Sequence, residues 1–146
     1  MKRRMIWGVV AVSVMLAAGS AEAGDQAGKS LYDRLGGKGA ITAVVETFVG
    51  KVGGDARINS YFKSTDLVKL KMHLVNQICE ASGGPCKYTG RTMKQTHAGM
   101  GVSDAAFGAL VENLVGALGH HKVGEAEKDE LLGVLGQMKG EIVEKK

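Results

Sequence analysis

Four histidines are the residues of this 146-residue chain that can act both as metal ligands and as acid–base groups, and His97 lies in a short segment bounded by glycines. His97 follows Gly90 and precedes Gly99 and Gly101, which limit any helix here to about two turns. So short a helix is stable only when it packs against other elements or a bound group. A neutral imidazole at its end can ligate a metal. The alternative is a hydrogen-bonded surface histidine.

Two cysteines, Cys79 and Cys86, are the other reactive pair. A disulfide between them would close an eight-residue loop and stabilise the fold by about 2.5 kcal/mol in the chain-entropy model. Two free thiols are the alternative.

The first residues predict export. Basic residues 2–4 precede an apolar run at 5–18, and Ala21 and Ala23 are small residues where a signal peptidase cleaves. We expect a signal peptide at 1–23, cleavage after Ala23, and one periplasmic domain at 24–146. The alternative, a membrane anchor, needs a longer run of about 20 residues, so we expect no membrane association of the mature chain.

The charge balance argues against nucleic acid as a partner. The chain carries 19 basic and 15 acidic residues, a net +4, and the predicted leader holds three of these bases and one acid. The mature chain is left with 16 bases and 14 acids, a net +2 without a basic block.

The elements that must position the histidines are predicted to be helices, because apolar residues recur at helical spacing and strict alternation fails. Ser30 can cap a helix at 31–35 and Ser103 can cap a later one. A final helix starts near Glu125. The clearest stripe starts after Gly36-Gly37 and comprises Ile41, Val44, Val45, Phe48, Val49 and Val52.

The helix that carries His73 is predicted to follow a cap at Ser64 or Thr65. Its stripe comprises Leu67, Leu70, Leu74 and Ile78. His73 borders this face, so we expect its ring to lie at the edge of the core.

Several features occur in one order: two glycine pairs, Gly36-Gly37 and Gly83-Gly84, the aromatic connector at Phe62, the helix with His73, and the segment 87–97 that ends at His97. Together they resemble the first group of truncated haemoglobins, from about residue 30 to 143. The resemblance implies an all-α, two-over-two helical sandwich around a b-type haem. It also implies that the helix bearing the proximal ligand is short.

The resemblance also implies roles for individual residues. His97 falls on the proximal ligand of the haem iron. Phe62 falls on a haem-packing phenylalanine, Met93 and Phe107 would line the haem face, and Lys94 and Tyr88 would meet the propionates. Core packing explains Met93 and Phe107 equally well, and Lys94 and Tyr88 could instead be a solvated lysine and a half-buried tyrosine.

The distal side departs from the common pattern of the family. Val49 stands where many relatives have tyrosine, and Leu70 and Leu74 stand where they have glutamine, so the usual hydrogen bonds to dioxygen would be missing. His73 matches the position that gives certain cyanobacterial members a second axial histidine. We therefore expect His73 to ligate the iron when no gas is present; the alternative is that it faces solvent or a propionate.

Three functions follow from these expectations. The first is reversible binding of dioxygen, nitric oxide or carbon monoxide, with haem-dependent chemistry of nitric oxide or of reactive nitrogen or oxygen species as the only catalysis expected. The second is electron transfer or redox sensing with an unidentified electron donor, and the third is a helical domain without a cofactor. The haem is expected to be noncovalent for two reasons. No C-x-x-C-H motif exists to form thioether bonds, and the last helix has no histidine of the kind that bonds to a haem vinyl group in some bis-histidyl members of the family.

Overall fold

The computed structural model describes residues 28–146, which form seven α-helices, one 3₁₀ helix and no β-strand. The predicted signal peptide, residues 1–23, lies outside the described residues. None of the described helices has both the length and the apolar character needed to cross a membrane. The prediction of an all-α fold is confirmed. The elements are α1 (Leu31–Leu35), α2 (Gly37–Gly53), the 3₁₀ helix (Asn59–Phe62), α3 (Leu67–Ala81), α4 (Met93–His97), α5 (Asp104–His120), α6 (Glu125–Gly136) and α7 (Lys139–Ile142).

Helix α2 is the centre of the core and contacts α1, α3 and α5. All six residues of its predicted stripe are buried: Ile41, Val44, Val45, Phe48, Val49 and Val52. Burying side chains of this size contributes roughly 1.5–3 kcal/mol each. The helix ends at Gly53, as its glycine pair predicts, but it begins at Gly37, earlier than the apolar stripe indicates.

Three of the predicted helix starts depend on side-chain caps, and two are confirmed. The hydroxyls of Ser30 and Ser103 accept hydrogen bonds from the amides of Asp33 and Ala106. Gly36 ends α1 in the left-handed region, at φ 101°, where a side chain would be strained. Local sequence therefore determines where α1 and α5 begin.

The start of α3 corrects the third of these predictions. Asp66 is the N-cap, in place of Ser64 or Thr65, and its Oδ1 accepts hydrogen bonds of 3.1 Å from the amides of Val68 and Lys69. A carboxylate can accept both amides, and its charge is favourable at a helix N-terminus. These two effects favour Asp66 over the neighbouring hydroxyls.

Helix α3 packs against the core on one face and borders a cavity on another. Val75, Ile78 and Cys79 are buried, whereas Leu67 is 46 % exposed. The predicted stripe is therefore right for Ile78 and wrong for Leu67. The face that carries Val75 and Cys79 packs against the core, and this orientation leaves Leu67 at the mouth of the cavity.

The predicted final helix is two helices, α6 and α7, with a break after Gly136. Glycine is a poor helix former, and the Met138 amide bonds the Leu135 carbonyl, three residues earlier, in place of the α-helical partner. The break turns α7 so that it packs against α4. The last helical turn therefore supports the segment that carries His97.

A polar cluster ties the loop after α2 to α5. The Asp55 carboxylate accepts hydrogen bonds from the Arg57 guanidinium and from Asn113 Nδ2, the latter at 2.7 Å. These bonds, chiefly the one from Arg57, hold the pKa of Asp55 well below its usual range. Arg57 also pairs with Glu112 at 2.8 Å.

Candidate functional site

A cavity of about 780 Å³ lies between α2, the 3₁₀ helix, α3, α4 and the segment 88–91. This volume is in the usual range for a site that takes a small molecule or cofactor. Most of its wall is apolar, formed by Phe48, Val49, Val52, Phe62, Leu67, Leu70, Leu74, Met93 and Leu110.

His97 lines this cavity at the end of the five-residue helix α4. A capping box starts the helix, since Thr92 and Gln95 each bond the other's backbone amide. The His97 Nδ1 lies 2.8 Å from the Met93 carbonyl oxygen. Because a carbonyl only accepts, Nδ1 carries the proton and Nε2 keeps the lone pair that a metal needs.

The period of α4 determines which of its residues reach the cavity. Met93, Thr96 and His97, at positions i, i+3 and i+4, line it. Lys94 lies on the opposite side of the helix, is exposed and does not line the cavity. Its role toward a propionate remains a prediction.

Phe107, the second haem-facing residue implied by the resemblance, also lies outside the cavity lining. It is half-buried on α5, and the Lys139 ammonium lies 5.6 Å from its ring centroid. The α5 residue that lines the cavity is Leu110, one turn further along. A contact between Phe107 and haem remains a prediction.

His73 lines the same cavity as His97. Its Nδ1 is buried and has no hydrogen-bond partner in the described part of the chain. Its ring packs against the Tyr88 ring edge to face, with centroids 5.7 Å apart and planes at 70°. Unlike His97, His73 thus has no protein acceptor for the second ring nitrogen.

Tyr88 belongs to a loop that is tied to α3. Its hydroxyl donates to the Arg91 carbonyl at 2.6 Å, and its amide donates to Glu80 Oε2 at 2.8 Å. Two residues before it, Cys86 forms a disulfide with Cys79, which decides between the two alternatives that the sequence leaves open. The Tyr88 hydroxyl is therefore already engaged within the protein.

The wall next to His73 is apolar, as the sequence predicts. Val49 is buried, and Leu70 and Leu74 are half-buried against the cavity. Gln77, a residue that the sequence did not single out, also lines it, and its Nε2 lies 3.3 Å from Met93 Sδ. The signal for Gln77 was its position four residues after His73, on the same helical face.

The mouth of the cavity carries more positive than negative charge. Lys63, Lys69 and Arg91 line it together with one acid, Asp66, and all four are exposed. Such a rim can bind the carboxylates of a ligand whose apolar body lies deeper in the cavity.

A helical fold that surrounds a large apolar cavity, with a histidine lone pair available inside it, is typical of the globin class. The comparison with protein families agrees, because the family model described as Bacterial-like globin matches residues 30–144.

Relatives narrow the class. The group 1 truncated haemoglobin GlbN of Mycolicibacterium paratuberculosis is 37 % identical over 113 residues, covering 77 % of this chain and 83 % of that protein. The truncated haemoglobin of Tetrahymena pyriformis superposes with a TM-score of 0.76 at 30 % identity, covering 79 % of this chain and 98 % of that chain. The 2/2 haemoglobin of a Synechococcus species, solved with covalently attached haem, gives 0.74 at 36 % identity with the same coverage. The chain belongs to the group 1 truncated haemoglobins.

Membership of this family implies haem and its iron as the cofactor, and the residues of the cavity fit that group. His97 offers one nitrogen to a metal, while the buried Nδ1 of His73 is a polar atom for which the described chain supplies no partner. The apolar wall suits a porphyrin face, and the basic rim suits its propionates. The chain is thus a haem-based gas-binding protein by family.

Proposed function

We propose that this chain binds b-type haem noncovalently, with His97 as the proximal ligand, and reversibly binds a diatomic gas: dioxygen, nitric oxide or carbon monoxide. Haem supplies the iron to which the gas binds. The observation that carries the proposal is the Nδ1 hydrogen bond from His97 to the Met93 carbonyl, which leaves Nε2 available on the cavity side of a short, capped helix. A second-shell acceptor of this kind fixes the tautomer and raises the basicity of the ligand nitrogen.

His73 is the second, displaceable ligand in this proposal. It lines the cavity and its Nδ1 has no described partner, so ligation through Nε2 would leave a buried N–H without an acceptor. Second-shell partners of this kind change the affinity of a metal ligand by about 10- to 100-fold. His73 lacks the acceptor that His97 has, which favours its replacement by a gas.

The apolar distal wall bears on the choice of gas. Val49, Leu70 and Leu74 offer no hydrogen bond to a polar ligand. A donor to a charge-bearing oxygen is worth about 1.5–3 kcal/mol, so dioxygen loses more here than carbon monoxide does. Nitric oxide or reactive-nitrogen chemistry is the only catalysis included in the proposal.

Noncovalent attachment is supported by the residues of the last two helices. The Synechococcus relative was solved with covalently attached haem. In this chain α6 and α7 contain no histidine. His120 and His121 lie exposed at the end of α5, and the His121 ring is held at 2.7 Å by Thr47.

Electron transfer or redox sensing in the periplasm is the second candidate function. It is favoured by two histidines that line one cavity with an apolar wall. The disulfide supports export, because disulfides persist in oxidising compartments. An exported haem protein needs an electron donor outside the cytoplasm.

Absorption spectra of the purified protein and of His97→Ala, His73→Ala and the control His120→Ala test both functions. We expect split, sharp visible bands in the reduced wild type without gas, one broad band in His73→Ala, weak haem retention in His97→Ala, and no change in His120→Ala. A wild type without haem would refute gas binding. A wild type with one broad band would refute ligation by His73, and gas binding much slower than reduction would favour electron transfer.

A further inference from the structure

We propose that Tyr88 is a positioning residue for His73 and that the Cys79–Cys86 disulfide holds Tyr88 where it can act. The inference rests on the proposed role of His73 as a displaceable ligand. Tyr88 would determine for what fraction of the time the His73 ring faces the cavity.

Tyr88 is held at several points. Its hydroxyl donates to the Arg91 carbonyl at 2.6 Å and its amide donates to Glu80 Oε2 at 2.8 Å. The disulfide fixes the chain two residues earlier, and the Cys86 amide donates to Cys79 Sγ at 3.3 Å. The phenol ring therefore has a defined place.

Gly90 packs close to this ring. A Cβ at Gly90 would lie 2.5 Å from the Tyr88 hydroxyl oxygen and 2.6 Å from Cζ, far inside van der Waals contact. A side chain at position 90 would therefore force the Tyr88 ring or the loop to shift, and glycine lets the two pack closely.

His73, in contrast, is poorly restrained. Its buried Nδ1 has no hydrogen-bond partner among the described residues, whereas the Nδ1 of His97 has the Met93 carbonyl. The edge-to-face contact with Tyr88 is the ring contact that orients His73. Such a contact has a preferred geometry, so it favours one ring orientation over others.

Two of the three residues that anchor Tyr88 belong to the same helix as His73. Cys79 and Glu80 lie on α3, two turns after His73. Since the loop is bonded to α3 at two adjacent residues, Tyr88 moves with α3 and keeps its contact with His73 when this helix shifts. The disulfide thus acts on the distal ligand through Tyr88.

The test compares Tyr88→Leu, which removes the ring, with Tyr88→Phe, which keeps the ring and loses only the hydroxyl. Cys79→Ala/Cys86→Ala removes the disulfide. The control is Tyr61→Leu, because Tyr61 is half-buried against the core and does not line the cavity. The measurements are the rate of carbon monoxide binding to the reduced haem-loaded protein and the NMR contacts between rings 73 and 88 in the carbon monoxide-saturated form.

An aromatic pair of this kind corresponds to about a 2- to 10-fold change in an equilibrium. We expect carbon monoxide to bind about 2- to 10-fold faster to Tyr88→Leu and at nearly the wild-type rate to Tyr88→Phe. Carbon monoxide should also bind faster to the disulfide variant. The variant that combines this change with Tyr88→Leu should show a smaller effect on the rate than the two single effects together. Tyr61→Leu should leave the rate unchanged.

Two outcomes would overturn the proposal, and they are distinct from failure of the proposed function. If His73→Ala changes the rate but Tyr88→Leu does not, Tyr88 does not position His73. If His73→Ala changes neither the spectrum nor the rate, the proposal that His73 ligates the iron is refuted. The NMR contacts then show whether Tyr88 still orients the His73 ring. Absence of ring contacts between residues 73 and 88 in the wild type would refute the inference.

Discussion

Opening the disulfide should lower the free energy of unfolding by a predictable amount. Cys79 and Cys86 close a loop of eight residues. In the chain-entropy model, a cross-link across eight residues removes about 8 cal/mol/K from the unfolded chain, or about 2.5 kcal/mol at 25 °C. Cys79 is fully buried, so alanine there would also remove packing. Reduced wild type is therefore the cleaner comparison with the oxidised protein.

Urea unfolding followed by circular dichroism, at one haem concentration, measures this difference. For a urea m-value of about 1–3 kcal/mol/M, the midpoint should fall by about 0.8–2.5 M on reduction. The urea midpoint of Cys79→Ala/Cys86→Ala should be lowered at least as much, and it should not change when reductant is added. A shift below about 0.3 M in the reduced wild type would refute the reasoning, since it would mean that the unfolded chain gains little freedom when the loop opens.

Three further substitutions should change gas binding or stability in a direction that follows from the structure. Leu70→Gln places an amide donor at the apolar distal wall. We expect dioxygen to dissociate about 10- to 100-fold more slowly, as measured by stopped flow. Asp55→Asn should lower stability at pH 7 and flatten its acid dependence. The pKa of Asp55 is lower in the folded protein than in the unfolded chain, where it is about 4, so its carboxylate stabilises the fold above about pH 4. This stabilisation is lost as the pH falls toward the pKa of the folded state, and urea midpoints measured across this pH range follow the loss. Gly90→Ala should destabilise by about 1–3 kcal/mol, because its Cβ meets the Tyr88 ring.

Each of these changes has a matched control. Leu70→Met keeps the volume without a donor and should leave dioxygen dissociation near the wild-type rate. Asp129→Asn removes an exposed acid from α6 and should keep the acid slope that Asp55→Asn loses. Gly108→Ala adds a Cβ in open space on α5 and should stabilise by up to about 1 kcal/mol. Equal effects for a variant and its control would contradict the corresponding argument.

Local signals in the sequence predict much of this fold. Ser30 and Ser103 cap their helices, and the α2 stripe from Ile41 to Val52 is fully buried, because capping and helical periodicity depend only on nearby residues. Asp66 was missed since three successive residues could cap α3. Sequence did not predict the break after Gly136, because the packing of α7 against α4 is a tertiary contact.

The candidate site is less accessible to sequence reasoning. His73 and His97 could be predicted as site residues from their neighbours along the chain, but the other residues that line the cavity could not. Gln77 lines the cavity while Lys94 and Phe107 do not, and these placements depend on how α3, α4 and α5 rotate against each other. The disulfide, which spacing leaves open, depends likewise on the path of the loop that brings the two cysteines together.

The two histidines differ in how firmly the protein holds them, and this difference is what the proposed function needs. His97 has a capped helix, a carbonyl acceptor for Nδ1, and α7 packed against its helix. His73 has a buried Nδ1 without a described partner and one aromatic contact, with Tyr88. A reversible gas binder requires one ligand that stays and one position that opens. Since second-shell contacts of this kind change the affinity of a metal ligand by about 10- to 100-fold, the firmly held histidine suits the permanent role and the loosely held one suits replacement by a gas.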